Sequence, residues 1–334
     1  MLLKENGPLS FALVGCGRIS QTHLQAIMSV PECRLKAVAD IREQASESVA
    51  NQFGCTNGCR AYKDYRNVLD GDHLDVVIIC TPPNTHAEIA TFFLDRGVHV
   101  LCEKPLAIKC EDAELMVKKA EENDCLLMMA SKFRYVEDVI KAKGIVDSGI
   151  LGDIVLFENV FCSKVDMRDR WNSIKDVAGG GVLIDNGSHS VDIARYLLGP
   201  ITKVQAEEGK RVQRLDVEDT ARLYFRTQSD TMGAVDLSWS IHKEQESYID
   251  LFGTEGMLSI GWKSSRYRQN EKMNWIVFGK GYDKLASFSG QIRNFVNTLR
   301  GREMPLITAK DALESVKVIG VAYKSVTMNK WVEV

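Results

Sequence analysis

In residues 11–20, FALVGCGRIS, an apolar run stops at a glycine turn and passes into a helical pattern. The spacing is G-x-G-x-x-S. Gly15 permits the tight turn after a strand, and Gly17 lets a pyrophosphate approach the backbone. The helix start that follows, with Arg18 and Ile19, offers free N–H groups and a positive dipole end. Ser20 replaces the usual third glycine or alanine and is small enough for close packing of helix on strand. Asp40 closes the next apolar run, LKAVAD, about 20 residues on, where a carboxylate accepts hydrogen bonds from an adenosine ribose. Taken alone, the glycine pattern also fits a turn in a protein that binds no nucleotide. The preceding strand, the following helix and the acid at this distance point to a dinucleotide. The charge on Asp40 would repel a 2′-phosphate and so favours NAD, while Arg42 close by would favour NADP.

Outward from this turn, short apolar strands alternate with amphipathic helices as far as about Ala130. FALVG, LKAVAD, LDVVIICT, VHVLCEKP and CLLMMAS read as strands, and EQASESVANQFG, THAEIATFFLDRG and EDAELMVKKAEEN as helices. That alternation is the pattern of a doubly wound parallel sheet covered on both faces. Beyond Arg134 the texture changes. A helix over about Glu137 to Ser148 precedes IVLFENVF, a glycine cluster and a second helix. KVQAEEGK, TARLYFRT, TMGAVDLSWS, SYIDLFGT and GMLSIGW then alternate apolar and polar residues with no helix between them, as expected of an antiparallel sheet with one buried face. A helix at about Ala309 to Met328 and a short strand, WVEV, close the chain. The fold class is therefore α/β, with a doubly wound dinucleotide-binding domain over residues 1–131 and an α+β domain over 132–334. No repeat, low-complexity stretch or Pro-rich linker interrupts it.

Composition narrows the function. The chain has 334 residues, 45% of them hydrophobic and 26% charged, which suits two globular domains. A formal charge of -3 with interleaved acids and bases provides no basic stripe for nucleic acid. The longest apolar runs, such as Val76 to Cys80 and Leu126 to Ala130, fall far short of the roughly 20 residues that span a bilayer. No secretory signal is visible, so a cytoplasmic location with no membrane partner is expected. The nine cysteines lack C-x-x-C spacing and read as reduced core thiols. Cys55 and Cys59 are the only close pair, no second pair completes a zinc site, and no metal is expected.

Two further motifs sit at strand ends, where open α/β sheets bind ligands. LDVVIIC runs into Thr81, Pro82, Pro83, Asn84, Thr85 and His86, and the next strand runs into Glu103, Lys104 and Pro105. Together with GGGVLIDNGSHSVDIARYLLG over 179–199, the glycine fingerprint, TPPNTHAEIA and EKP resemble the glucose-fructose oxidoreductase, inositol dehydrogenase and rhizopine catabolism (Gfo/Idh/MocA) family in four motifs taken in order across nearly the whole chain. The resemblance implies a Rossmann domain followed by an open-faced, mostly antiparallel sheet that often mediates oligomers, here a homodimer or homotetramer. The active site is then expected in the cleft between the domains. It further implies that Lys104 reaches both nicotinamide and substrate hydroxyl, and that Asp185 and His189 complete a catalytic group. Thr81, Asn84, His86 and Glu103 join the cofactor side, and Arg134 and Trp171 the substrate side.

The residue types suit that chemistry. Oxidising a secondary alcohol removes a hydride from carbon while a proton leaves oxygen, which calls for a base near neutrality and a positive group beside the developing alkoxide. His189 has the right titration range and Lys104 the charge. Asp185 stands four residues before His189 and shares a helix face with it if the helix begins early enough. Plainer readings stay open. His189 also fits a buried histidine packing with Ile193 and Leu197, and Asp185 a helix N-terminal carboxylate. His86 also fits a helix start without ligand contact, and Asp192 reads as structural. Arg134 and Trp171 divide evenly between substrate contact and ordinary packing. The expected activity is hydride transfer at a hydroxyl-bearing carbon of a sugar, inositol or sugar nucleotide. A transient-redox glycoside-processing enzyme that retains NAD, or a redox-silent dinucleotide-binding regulator, remain as alternatives.

Overall fold

The computed structural model of the protein describes residues 7–54, 58–71, 73–271 and 274–334. Contacts divide the chain into two compact units, one running up to Tyr135 and adding Lys284–Leu313, the other comprising Val136–Asp283 and Glu314–Val334. Cys55 of the sequence's one close cysteine pair lies outside the described residues.

In the first unit the chain runs β1 (Leu9–Val14), α1 (Ser20–Met28), β2 (Cys33–Ala39), α2 (Glu43–Gly54), β3 (Arg60–Tyr62), β4 (Val76–Ile79), α3 (His86–Leu94), β5 (His99–Glu103), α4 (Cys110–Glu122) and β6 (Leu127–Ala130). Among the described residues the sheet has six parallel strands in the order β3-β2-β1-β4-β5-β6. Chain order reverses between β1 and β4, the switch point at whose carboxyl ends such sheets take ligands. All four residues of β4 are buried because helices cover both sheet faces, which is why the strand reads as an unbroken apolar run.

The second unit holds α5 (Glu137–Asp147), β7 (Ile154–Cys162), α6 (Lys175–Ala178), α7 (Val182–Leu198), β8 (Ile201–Glu208), β9 (Thr220–Thr227), β10 (Met232–Ser238), β11 (Ser247–Gly253), β12 (Gly256–Gly261), β13 (Ser265–Gln269) and β14 (Ile276–Gly279). After α8 (Lys284–Leu299), α9 (Ala309–Met328) leads to β15 (Val332–Glu333). Its nine-stranded sheet, counted over the described residues, runs β14-β13-β12-β11-β7-β10-β9-β8-β15. Every pairing is antiparallel except that of β10 with β7. Alternation in β9 buries Ala221, Leu223 and Phe225, and α7 lies on β7, β9 and β10.

The sequence pattern counts 284–313 with the second domain, yet α8 packs in the first unit. Phe288, Ile292, Phe295 and Val296 of α8 are buried, and the helix lies along α1. The Phe288 ring meets His23 edge-on at 4.8 Å, and Ser289 Oγ lies 2.8 Å from Ser29 Oγ. Each such apolar side chain contributes on the order of 1.5–3 kcal/mol when fully buried, so four of them fix where α8 belongs. Among the described residues, no helix is long and apolar enough to cross a membrane.

Candidate active site

The glycine turn forms because two strand ends nearly touch. At φ +96°, Gly15 lies so close to β4's exit that a Cβ there would stand 2.7 Å from the Cys80 carbonyl carbon and 2.8 Å from the Thr81 nitrogen. Only glycine meets both demands. Its N–H donates to the Ala39 carbonyl at 2.8 Å. Around Gly17 the space is open, with no protein atom within 4 Å of where a Cβ would stand. The Ser20 hydroxyl donates back to the Gly17 carbonyl at 2.6 Å, Ile19 caps α1, and Arg18 is exposed.

Asp40, at the end of β2, is 9% exposed. Its Oδ2 accepts the Cys16 N–H at 2.8 Å, and its Oδ1 accepts the Arg42 N–H at 2.9 Å. The Arg42 guanidinium adds Nε to Oδ1 at 3.1 Å and Nη2 to Oδ2 at 3.3 Å. Burial alone would raise this carboxyl's pKa, but the bonds from Arg42 and Cys16 hold it below the ordinary value. The open backbone at Gly17, the α1 start and an ionised acid at the end of β2 fit a dinucleotide with an unphosphorylated ribose.

At the next two strand ends the side chains are bound to one another. His86, the first residue of α3, is fully buried, with Nδ1 2.9 Å from the Pro105 carbonyl and Nε2 2.9 Å from the Thr81 carbonyl. Burial lowers its pKa, against the two carbonyls, which favour an N–H on the ring. A neutral imidazole has one N–H and donates to only one of these carbonyls at a time, so the ring stands between the two loops as a bridge. Thr81 also accepts the Thr85 hydroxyl at 2.8 Å, and Asn84 is exposed beside it. Glu103 is buried at the end of β5, its Oε2 accepting the Lys104 N–H at 3.1 Å, and Lys104 itself is half-buried.

In the second unit α7 begins at Val182, early enough to place both Asp185 and His189 within it, one turn apart. Asp185 lies half-buried in the first turn and His189 is 8% exposed. The glycines before α7 press against protein. A Cβ at Gly180 would fall 1.9 Å from the Tyr323 hydroxyl, and one at Gly181 would fall 1.9 Å from the Glu218 carbonyl oxygen. Glu218 secures that approach. One of its oxygens, Oε1, accepts the N–H groups of Gly181 and Leu183, each at 3.0 Å, and the Tyr323 hydroxyl at 2.8 Å. These N–H groups belong to the orphan donors of a helix start. Asp192 is fully buried, with Oδ1 3.5 Å from the Ser315 hydroxyl, as a structural residue would be.

Of the two substrate-side candidates, Trp171 is 42% exposed on a turn at Trp171–Ser173. Arg134 has a different setting. It is 3% exposed, donates from Nη1 to the Leu306 carbonyl at 2.8 Å and lies 3.7 Å from Asp311, so the geometry supports an anchoring role. Sequence reasoning missed Glu218 and His23. Each acts through a partner distant in sequence, and no local pattern marks either.

A 3-2-1-4-5-6 parallel sheet with this glycine turn and a buried acid ending β2 defines an NAD-type dinucleotide-binding unit. Residues 9–131 match the oxidoreductase family with an NAD-binding Rossmann fold, and residues 139–259 match the GFO/IDH/MocA C-terminal domain. The chain belongs to the Gfo/Idh/MocA family of NAD-dependent oxidoreductases. It is 23% identical over 337 residues to myo-inositol 2-dehydrogenase of Thermotoga maritima, covering 95% of each chain. With the rhizopine catabolism protein MocA of Rhizobium meliloti it shares 27% identity over 314 residues, 93% of this chain and 92% of the relative. The fold is that of levoglucosan dehydrogenase in complex with NADH and levoglucosan, with a TM-score of 0.90 at 22% identity over 98% of this chain and 99% of that one.

Proposed function

We propose that the protein oxidises or reduces a hydroxyl-bearing carbon of a sugar, inositol or sugar nucleotide. The observation that carries this reading is Lys104, half-buried at the carboxyl end of β5 in the same unit as the dinucleotide cradle. NAD, when bound, accepts or supplies the hydride; Gly15, Gly17, Arg18, Ile19 and Asp40 hold it, with Thr81, Asn84 and Glu103 alongside. The Lys104 ammonium steadies the developing alkoxide. His189 takes the hydroxyl proton in oxidation and returns it in reduction. Asp185, one turn earlier, orients the imidazole or accepts a hydrogen bond from a second hydroxyl. Trp171 offers an aromatic face to the ring of the substrate, and His86 serves by clasping the Thr81 and Pro105 loops. The relatives named for myo-inositol and levoglucosan support a polyhydroxylated ring as substrate.

The protein assembles as a homodimer or homotetramer through its second sheet. Met232, Leu156, Phe252 and Met257 stand in register across β10, β7, β11 and β12, all at least partly exposed, and such a row favours a covering partner. A cytoplasmic setting suits the eight described cysteines, which are all free.

The test is turnover of inositols, sugars and sugar nucleotides followed at the reduced-nicotinamide absorbance band. Wild type reduces NAD with at least one member of the panel. Lys104→Ala lowers kcat about 100-fold or more while NAD affinity stays within about threefold. Turnover by the variant within a few-fold of wild type overturns the role of Lys104. Silence of the wild type across the panel, with cofactor already bound, points to transient redox or to a redox-silent regulator.

A further inference from the structure

We propose that His23 is a positioning residue for Lys104, acting through the carboxylate of Glu103. This rests on the reading of Lys104 as the group beside the reacting hydroxyl. His23 sits on the second turn of α1, fully buried, with Nε2 2.7 Å from Glu103 Oε1. The other oxygen of the same carboxylate accepts the Lys104 N–H at 3.1 Å. Among the described residues no partner meets His23 Nδ1, and a carboxylate oxygen can only accept, so the Nε2–H donates to Glu103. Phe288 of α8 closes the other side, edge-on at 4.8 Å and 75°.

The carboxylate is thereby pinned at both oxygens and cannot rotate without giving up one bond. Burial alone would raise the Glu103 pKa, and His23 is the foremost influence holding it down, ahead of Lys104 and Lys132. Deprived of His23, Glu103 becomes a buried charge without its best partner, and it either takes up a proton or turns away. Either change loosens the main chain at Lys104 and so the origin of the side chain that carries the ammonium. Since α1 also begins at the glycine turn, one buried contact ties the cradle helix to the lysine.

His23→Phe keeps an aromatic ring against Phe288 and removes the donor, whereas His23→Gln restores an N–H at similar reach. Hydrogen exchange of the Lys104 amide reads the tether directly, with no substrate required. In His23→Phe that amide exchanges about tenfold faster or more. The same variant lowers kcat about tenfold or more with KM and NADH affinity within about threefold. His23→Gln recovers both amide protection and kcat. If the phenylalanine variant does not fold, His23→Asn, whose amide falls short of Glu103, takes its place. Unchanged Lys104 protection, a loss of NADH affinity matching the loss of kcat, or a glutamine variant no better than phenylalanine each overturn the inference. Should the wild type turn over nothing in the panel, the functional reading fails, while amide exchange still decides the tether.

Discussion

Four donor contacts converge on the Asp40 carboxylate, from the N–H of Cys16 and from the N–H, Nε and Nη2 of Arg42. A carboxylate has about four lone-pair positions, so a ribose hydroxyl binds only as the Arg42 guanidinium withdraws. That side chain is 65% exposed, and an ion pair so wetted is easily given up. Arg42→Ala should therefore tighten NAD a few-fold and abolish residual NADP binding, whereas Asp40→Ala weakens NAD about tenfold or more. Titrating nicotinamide fluorescence with both reduced cofactors checks this, and weaker NADH binding by Arg42→Ala would show a contact in place of a competition. His99 allows a prediction of the pH response. It is 5% exposed, its Nδ1 accepts the Leu126 N–H at 3.0 Å, and burial lowers its pKa from 6.5 to about 4. Between those values the unfolded chain binds the proton that the folded chain refuses, so stability falls as pH drops from 7 to 5. The loss amounts to roughly 2 kcal/mol at 1.36 kcal/mol per pKa unit. His99→Asn keeps an acceptor for Leu126 without titrating, so urea midpoints at the two pH values should differ less in the variant by about that amount. Equal pH responses would remove His99 as the cause.

At the level of elements, the entrance of α7 depends on one glutamate. Glu218→Ala would orphan two N–H groups and the Tyr323 hydroxyl at once, for a loss of roughly 3 kcal/mol or more, since each unmet buried group costs about 1–3 kcal/mol. Glu218→Gln keeps a carbonyl oxygen for all three and removes a carboxyl whose pKa burial has raised. A raised carboxyl makes the folded state less stable as pH climbs above its unfolded value, so the glutamine variant should hold its stability better than wild type from pH 5 to 7. Urea unfolding of both variants separates the two effects, and an alanine variant as stable as wild type would mean that Glu218 does not hold the loop. The elements differ in how plainly their sequences announce them. α2, β9 and α9 follow their patterns to the residue, because each has a clean apolar stripe or alternation. α8 went unread because its buried face includes Ser287, Ser289, Gln291 and Asn294, which blur the helical period. β13, SRYRQ, is too charged to read as a strand away from its neighbours. At the site, the motifs at strand ends carried Gly15, Asp40 and Lys104 in local pattern, and the glycine-led start of α7 carried Asp185 and His189. Arg134 carried no mark of its burial, since Leu306 and Asp311 lie far along the chain.

For the molecule as a whole, the exposed row on the second sheet gives the last prediction. Leu156→Glu places a charge amid Met232, Phe252 and Met257 and should convert the proposed homodimer or homotetramer to monomer, which light scattering reads as a halved or quartered mass. An unchanged mass would put any interface elsewhere. The two-unit division was legible as a change from alternating to all-strand texture, but the return of 284–313 was not, because periodicity reports the shape of a segment and says nothing about its neighbour. That return also sets a timetable for synthesis. The strands and helices of the first unit are complete by Tyr135, but α8, which covers the flank of α1, begins at Lys284. A ribosome working at about 5–20 residues per second needs roughly 7–30 s to supply the intervening chain. Throughout that interval the newborn Rossmann sheet waits with the Phe288 side of His23 uncovered, and eight of the nine described strands of the second sheet, β7 to β14, are made before the first can close.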